Sequence, residues 1–254
     1  MRHLIFCCIL ALCLTGCGKA PAPESASASK KTLKAAVCPT SPPNCFQRDQ
    51  TYTGIDVDLF TMFCESRGYT FEMTAYDWAG MLGAVIAGRA DVAFSGISIT
   101  EKRQEVMSFS EAYMINVLVI AAIADRGVVI NSTSDWKKYR LGFVRGMYFG
   151  DLIKNKYKEA YDYSDLQQYP SYNELLADLG NGKVDGAFMD SLVMADQLQK
   201  GIYAITTAFT LEEEDRFGFA FPMNSPLRDE FNLFLREHLV EVQAIIDGYM
   251  KKSA

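Results

Sequence analysis

A short recurrence constrains this chain more than any other feature. Residues 88–96 read GRADVAFSG and residues 182–190 read GKVDGAFMD. Gly, Asp, Ala and Phe fall at matching positions, Arg89 answers Lys183, and the offset is 94 residues. Each copy follows a segment with helical patterning, 78–87 in one case and 171–179 in the other. A helix that stops at Gly and turns into an apolar run is one half of an α/β unit. The same alternation surrounds both copies. Thr32–Val37 and Thr70–Ala75 read as strands, and Asp91–Phe94 reads as a buried strand. Asp56–Arg67 reads as a helix with Asp56 as its N-cap and Gly68 as its stop. Such alternation predicts an α/β fold with two lobes of similar build, their sheets covered by helices on both faces.

Two apolar runs would carry the chain between the lobes: Val117–Ile123 and Arg216–Phe221. With both crossing over, residues 31–115 and 214–254 form lobe 1 and residues 116–213 form lobe 2. Ligands of open α/β sheets bind beyond the carboxyl ends of the strands. Those ends are Ser95-Gly96 in one lobe and Asp190 in the other, so a cleft between the lobes sets them face to face.

The first 30 residues stand apart from this pattern. Leu4–Leu14 is an uninterrupted apolar run of 11 residues behind Arg2. It is too short to span a ~30 Å hydrocarbon core but suits a secretory signal. The run ends in Leu14-Thr15-Gly16-Cys17, which resembles the bacterial lipobox. That resemblance implies removal of residues 1–16, lipidation of Cys17 (palmitate among the acyl chains) and anchoring of an exported body on a membrane, in the periplasm or at the cell surface. The following KAPAPESASASKK, residues 19–31, lacks apolar periodicity and has a root-mean-square span of roughly 20 Å, so the lipidated Cys17 and a flexible tether are placed at 17–30. Arg2 is the one Lys or Arg removed, so the formal charge moves from −6 to −7. Four of the seven cysteines fall in the first 17 positions. Export implies an oxidising space, so one disulfide among Cys38, Cys45 and Cys64 is expected. Cys38 and Cys45 bracket a Pro-rich turn and are the favoured pair, worth about 2.5 kcal/mol of loop closure; Cys45 with Cys64 is the alternative.

A run of motifs through the body resembles the polar amino-acid solute-binding proteins of ABC importers, the bacterial extracellular solute-binding family 3. Gly54-Ile55-Asp56-Val57-Asp58-Leu59 is similar to the family's GFDVDL, and Asp77-Trp78-Ala79-Gly80-Met81-Leu82 to D-W-D-G-L-I. Ser95-Gly96-Ile97-Ser98-Ile99-Thr100-Glu101-Lys102-Arg103 is close to S-G-M-S-I-T-x-x-R. Phe109-Ser110-Glu111-Ala112-Tyr113 resembles F-S-D-P-Y, Leu141–Gly146 resembles V-G-V-x-x-G-T, and Val184–Asp190 resembles V-D-A-V-x-x-D. In order over residues 32–254, they imply the two-lobed type II periplasmic-binding-protein fold, with two mixed or parallel sheets, flanking helices and a two-strand hinge.

The chemistry of those positions is that of a zwitterion site. Both charges of an amino acid lose water in a closed cleft and need fixed partners. Arg103 offers a two-pronged donor for a carboxylate, and the N–H groups near Ser98 and after Gly146 are further anion donors. Asp190 can hold an ammonium with help from Ser95 and the Gly96 carbonyl; its structural alternative is to cap the helix that follows. The resemblance gives Arg103 the α-carboxylate, Asp190 the α-ammonium and Trp78 the ligand side chain. Three departures bear on the ligand. Cys38-Pro39-Thr40-Ser41 stands where family members carry an acid and an aromatic ring, leaving Phe46, Tyr52 or Trp78 as replacement rings. Met147-Tyr148 replaces a small Thr-Thr and reshapes the pocket. Arg145 could reach a second carboxylate.

The remaining counts narrow the function class. His3 and His238 are the only histidines, too few for a His-built metal site, and a histidine-based catalytic triad would need His238, which sits in a C-terminal segment that reads as helix. No metal or cofactor is expected. The acidic balance argues against nucleic acid. Glu212–Asp215 reads as a solvated acidic turn. The expectation is a monomeric, lipid-anchored binding protein that hands a polar amino acid to a permease. A sensor or surface lipoprotein on the same fold is the alternative. A cyclohexadienyl-dehydratase-like enzyme is disfavoured, because the helix after Asp190 lacks an obvious general acid.

Overall fold

A computed structural model describes residues 30–250, so the leader, Cys17 and most of the tether lie outside the described residues. The chain begins with β1 (Thr32–Val37) and a small antiparallel sheet of β2 (Thr40–Ser41), β3 (Cys45–Arg48) and β4 (Thr51–Thr53). It continues through α1 (Ile55–Arg67), β5 (Thr70–Ala75), α2 (Trp78–Ile86), β6 (Val92–Ser98), the single turn α3 (Glu101–Gln104), β7 (Ser108–Phe109) and β8 (Met114–Asn116). Next come β9 (Leu118–Ile123), β10 (Leu141–Val144), α4 (Tyr148–Asn155), β11 (Gln167–Tyr169), α5 (Tyr172–Gly180), β12 (Gly186–Asp190), α6 (Ser191–Lys200) and β13 (Ile205–Thr210). The chain then enters β14 (Asp215–Phe221) and closes on α7 (Pro226–Glu237) and α8 (Leu239–Met250).

Two mixed sheets result. One runs β5-β1-β6-β14-β7, with β8 also on β14; the other runs β11-β10-β12-β9-β13. In each, three parallel strands meet an antiparallel one, β14 on β6 and β9 on β12. The recurrent segments are the equivalent strands β6 and β12. Gly88 and Gly182 precede them with φ of 65° and 74°, a left-handed turn that suits glycine. The shared Asp has a structural task. Asp91 Oδ2 accepts from the Lys34 amide at 2.7 Å, and Asp185 Oδ2 from the Arg140 amide at 2.9 Å. Each carboxylate thus pins the start of its strand to the parallel neighbour.

Around the first sheet, Phe60, Phe63, Phe94, Phe219 and Phe231 form a buried aromatic cluster. A second cluster, with Trp136, Phe143, Phe149 and Phe188, also takes in Trp78 and Met81 of α2, so one apolar cluster joins residues associated with the two sheets.

Three sequence expectations are corrected here. Cys38, Cys45 and Cys64 are all free thiols, so neither disulfide forms. Cys38 follows β1 and joins the Trp78 cluster, and Cys45 sits in the Phe60 cluster. The Cys38 Sγ lies 3.4 Å from the Thr40 hydroxyl instead. Burial pushes the Cys45 thiol up to about 12. Asp56 is not the cap of α1; Gly54 is, at φ 136°, because a Cβ there would lie 2.3 Å from the Asn44 carbonyl oxygen. Finally, the acidic turn is not uniformly solvated. Asp215 is 1% exposed, and Glu213 is held by Lys156 at 2.5 Å and by the Tyr157 hydroxyl.

Candidate functional site

Strand register builds the site. At the end of the first sheet Asp215 of β14 faces Asn116 of β8, and two residues later Leu118 of β9 faces Asp190 of β12. The segment 116–118 therefore passes directly from one sheet to the other. Beside it runs the return segment, where Thr210 faces Val119 and the Leu211 amide donates to the Leu118 carbonyl at 2.9 Å. Side chains at the ends of four strands converge at this crossing.

Asn116 sits between two acids. Its Nδ2 donates to Asp190 Oδ1 at 2.6 Å and to Asp215 Oδ2 at 2.8 Å. The second Asp190 oxygen accepts from the Tyr172 hydroxyl at 2.8 Å. Asp190 occupies the N-cap position of α6 without a side-chain capping bond, so its carboxylate is turned to the cluster and not to the helix. Burial, then the neighbouring Asp215 charge, push its carboxyl up to about 7. Burial raises Asp215 as well, opposed by Asn116, Ser98 and Arg103. Two buried carboxylates this close cannot both ionise freely in low dielectric.

Arg103 is the cationic counterpart. Thr100 caps α3 by accepting from the Arg103 amide at 3.2 Å. The guanidinium is buried, with Nη1 donating to the Ser98 carbonyl at 2.7 Å and Nη2 to the Gly146 carbonyl at 3.0 Å. Trp78 Nε1 donates to that same Gly146 oxygen at 3.1 Å. The Arg103 guanidinium carbon lies 6.0 Å from the Trp78 ring centroid. Burial lowers the Arg103 pKa, and Asp215, Asp151 and Asp190 oppose that, in this order of weight. A guanidinium stays charged regardless. Two of its five N–H donors are in use, which leaves donors for an anion.

The residues singled out from sequence divide. Arg103, Ser98, Asp190 and Trp78 gather at the crossing or at the lip beside it. Ser95 does not join them: its hydroxyl is spent on the Cys38 amide at 2.8 Å and on the Phe94 carbonyl. The Gly96 amide donates to Asp56 Oδ2 at 2.8 Å. Asp56 also accepts from Asn44 at 3.2 Å and from the Tyr113 hydroxyl, and burial pushes it up to about 6. This acid fastens the bend at Gly96. Met147 lines a cavity of about 290 Å³ with Arg103 and Phe143, and Tyr148 lines a neighbouring one of about 450 Å³ with Thr100 and Lys156. Between them Lys102 and Asp151 pair at 2.6 Å across the lip. Arg145 is exposed and its amide donates to Tyr169. Phe46 stacks under Arg48 at 5.2 Å, and Tyr52 packs on the Phe60 cluster, so of these three rings Trp78, buried, is the one beside Arg103. Sequence reasoning missed Asn116, Tyr172 and Asp215. The available signal was a polar residue at the edge of each apolar crossing run.

Among the described residues no group of three or more His, Cys, Asp or Glu could hold a metal. No helix among them is long and apolar enough to cross a membrane.

A family model described as bacterial extracellular solute-binding proteins, family 3, matches residues 33–252. The chain is 28% identical over 211 residues to a probable histidine-binding protein of Neisseria gonorrhoeae, covering 80% of this chain and 77% of that one. It is 25% identical over 243 residues to the arginine-binding extracellular protein ArtP of Bacillus subtilis, covering 92% and 90%. Among solved structures, an ABC uptake transporter substrate-binding protein from Streptococcus pneumoniae with bound histidine superposes with a TM-score of 0.77 at 26% identity, covering 86% of this chain and 92% of that one.

Proposed function

The chain belongs to family 3 of the bacterial extracellular solute-binding proteins and has their two-lobed type II periplasmic-binding-protein fold; on that premise we propose that it delivers a polar amino acid to an ABC importer. The observation that carries the reading is the opposition of two buried charges. Arg103 comes from the lobe of the first sheet and Asp190 from the lobe of the second. A zwitterion offers each its complement, and removing both ligand charges from water is tolerable only with such partners. The relatives named for histidine and arginine binding support an amino acid as the ligand. Its carboxylate goes to the unused Arg103 donors and its ammonium to Asp190, with Trp78 beside its side chain.

In this reading the crossing segments 116–118 and 211–215 are the hinge. Ligand bridging both lobes stabilises the closed form by its differential affinity for it. The body is exported and held on a membrane by lipidated Cys17, which the apolar run and Leu14-Thr15-Gly16-Cys17 support. A Cys17→Ser variant then leaves the membrane fraction for the soluble one.

A thermal-shift screen of the twenty amino acids tests the ligand class. A ligand at 100-fold excess over its dissociation constant adds about 2.7 kcal/mol of stability. The expected hits are among the polar and cationic amino acids; no shift with any of the twenty removes the reading.

A further inference from the structure

Among the described residues, one pair of sequence neighbours is large, apolar and exposed: Leu239 at 66% and Val240 at 79%. They open α8 where the chain turns out of α7, and His238 makes that turn at φ −122° and ψ 32°. The inward places of α8 go to Val242 and Ile246, which are buried, so the pair has no place in the core. Leu233 of α7 is exposed as well. Helical spacing puts it on one stripe with Glu230 and Glu237. Single exposed apolar residues need no explanation; here their position supplies one.

The corner adjoins the place where the chain enters the body. The Thr70 amide donates to the Lys31 carbonyl at 3.0 Å, and Lys31 Nζ lies 5.7 Å from the Tyr69 ring centroid. The Tyr69 hydroxyl donates to Glu230 at 2.8 Å, and Arg67 pairs with Glu237 at 2.6 Å. The start of β1 and the α7–α8 corner therefore share one end of the first sheet. Gly96 and Ser98 are at the other end, because β1 and β6 run parallel and a strand of this length advances about 20 Å. Charges beside the apolar pair are already matched. Arg236 pairs with Glu111, Glu237 with Arg67, and His238 Nδ1 lies 3.9 Å from Glu241. Lys30 and Lys31 are exposed at the entry point. An apolar knob with matched charges and two lysines beside it suits a phospholipid surface, whose anionic headgroups attract cations.

We propose that the α7–α8 corner rests on the phospholipid surface that holds lipidated Cys17, with Leu239 and Val240 set among the headgroups and the cleft turned to water. The inference rests on the lipid-anchor reading above. The tether of that reading spans roughly 20 Å, which keeps the corner near the bilayer at high effective concentration. Two apolar side chains hold a bilayer weakly on their own; tethered beside it, they set the orientation of the body.

Quenching by brominated acyl chains tests this on the lipidated protein, purified from membranes and reconstituted in phosphatidylcholine–phosphatidylglycerol vesicles. Trp78 and Trp136 are buried, so the reporter Val240→Trp is read against the wild type as a blank. Ile202→Trp, at a position 66% exposed in the other lobe, controls for the affinity of tryptophan itself for interfaces. The 240 reporter is expected to lose emission to the brominated lipid while the 202 reporter keeps it. Adding Leu239→Asp to the 240 reporter shifts the balance about 10- to 100-fold toward a lifted body and restores emission. Equal quenching of both reporters, quenching of neither, or no response to Leu239→Asp overturns the proposal. Leu233→Trp takes over as reporter should Val240→Trp lack the wild-type thermal transition. A second copy seated on the corner instead shields the 240 reporter from iodide in the vesicle-free Cys17→Ser chain, increasingly with concentration, and that overturns the proposal too. The mass of the Cys17 peptide separates the two readings. Without acyl chains the anchor fails and the inference falls with it; an acylated chain with an unquenched 240 reporter overturns the inference alone.

Discussion

A guanidinium as deeply buried as that of Arg103 needs partners in every state of the cleft. Its bond to the Ser98 carbonyl stays within one lobe, and its bond to the Gly146 carbonyl reaches the other. Arg103→Ala is expected to weaken ligand binding by about 2–5 kcal/mol, as when one partner of a buried charge pair is removed. Arg103→Lys restores charge without the fork and recovers only part of the loss. Calorimetry that finds unchanged affinity in either variant excludes Arg103 from the carboxylate contact. Asp190 sets the response to pH. Its carboxyl is pushed from 3.8 up to about 7, by burial first and the Asp215 charge second. Between those values the folded chain holds a proton that the unfolded chain has released, so the stability of the ligand-free protein falls as pH rises through that window. Above it both states are ionised and the fall stops. Asp56, pushed up to about 6, contributes to the lower part of the same fall. Asp190→Asn should therefore flatten the thermal midpoint between about pH 6 and about pH 7 and reduce, without abolishing, the fall below that, where Asp56 still contributes. In the proposed contact an ammonium displaces the Asp190 proton, so ligand affinity should follow the opposite course and weaken about tenfold per unit as pH drops below about 7.

At the scale of elements, Asp56 does more for the site than a helix cap would. Placed in the first turn of α1, it accepts from the Gly96 amide, Asn44 and the Tyr113 hydroxyl. It thereby ties α1 to the bend in β6, where Gly96 takes φ 70°. That bend turns the strand toward Ser98, whose carbonyl seats Arg103. Asp56→Ala strands three donors and is expected to cost about 1–3 kcal/mol of stability for each donor left dry. Urea unfolding read by tryptophan fluorescence measures it, and a loss below that range means that water replaces the carboxylate. The sequence made the helix visible but not this task. Apolar periodicity and Gly68 mark α1 by local rules, and the recurrence of Asp91 and Asp185 marks two equivalent strands. Glycine at the start of α1 follows instead from the Asn44 carbonyl 2.3 Å from where its Cβ would be. No local rule announces such a contact. The same holds for Asp215. In sequence it ends a run of acids, and only the pairing of β14 with β8 carries it into the interior opposite Asn116. Arg103 and Asp190 were legible because each lies in a motif of its own, whereas Asn116 and Tyr172 act through partners about 74 and 18 residues away in sequence.

For the molecule as a whole, the proposed closure would be governed by contacts at two distances from the crossing. At the lip, Lys102 and Asp151 pair with 67% and 26% of their side chains exposed, which limits the pair to about 0–1 kcal/mol. Deeper in, Trp78 and Arg103 share the Gly146 carbonyl. Against closure stands the cost of burying Asp190 and Asp215 with a single guanidinium for compensation. In the proposed hinged closure, a ligand whose amine neutralises the acids offsets that cost and favours the closed form. Lys102→Ala should therefore change affinity less than about fivefold, whereas Gly146→Ala strikes the closed form directly. Gly146 has φ 85°, and an added Cβ would lie 3.2 Å from Trp78 Cδ1. The strained backbone costs about 1–2 kcal/mol in any state where that φ is kept, but the contact with Trp78 exists only when the lobes meet. Small-angle scattering reads the difference. The wild type should contract on saturation with its ligand, and Gly146→Ala should bind more weakly and contract less at equal occupancy. A variant with wild-type affinity and full contraction would show that the Gly146 clasp does not govern closure.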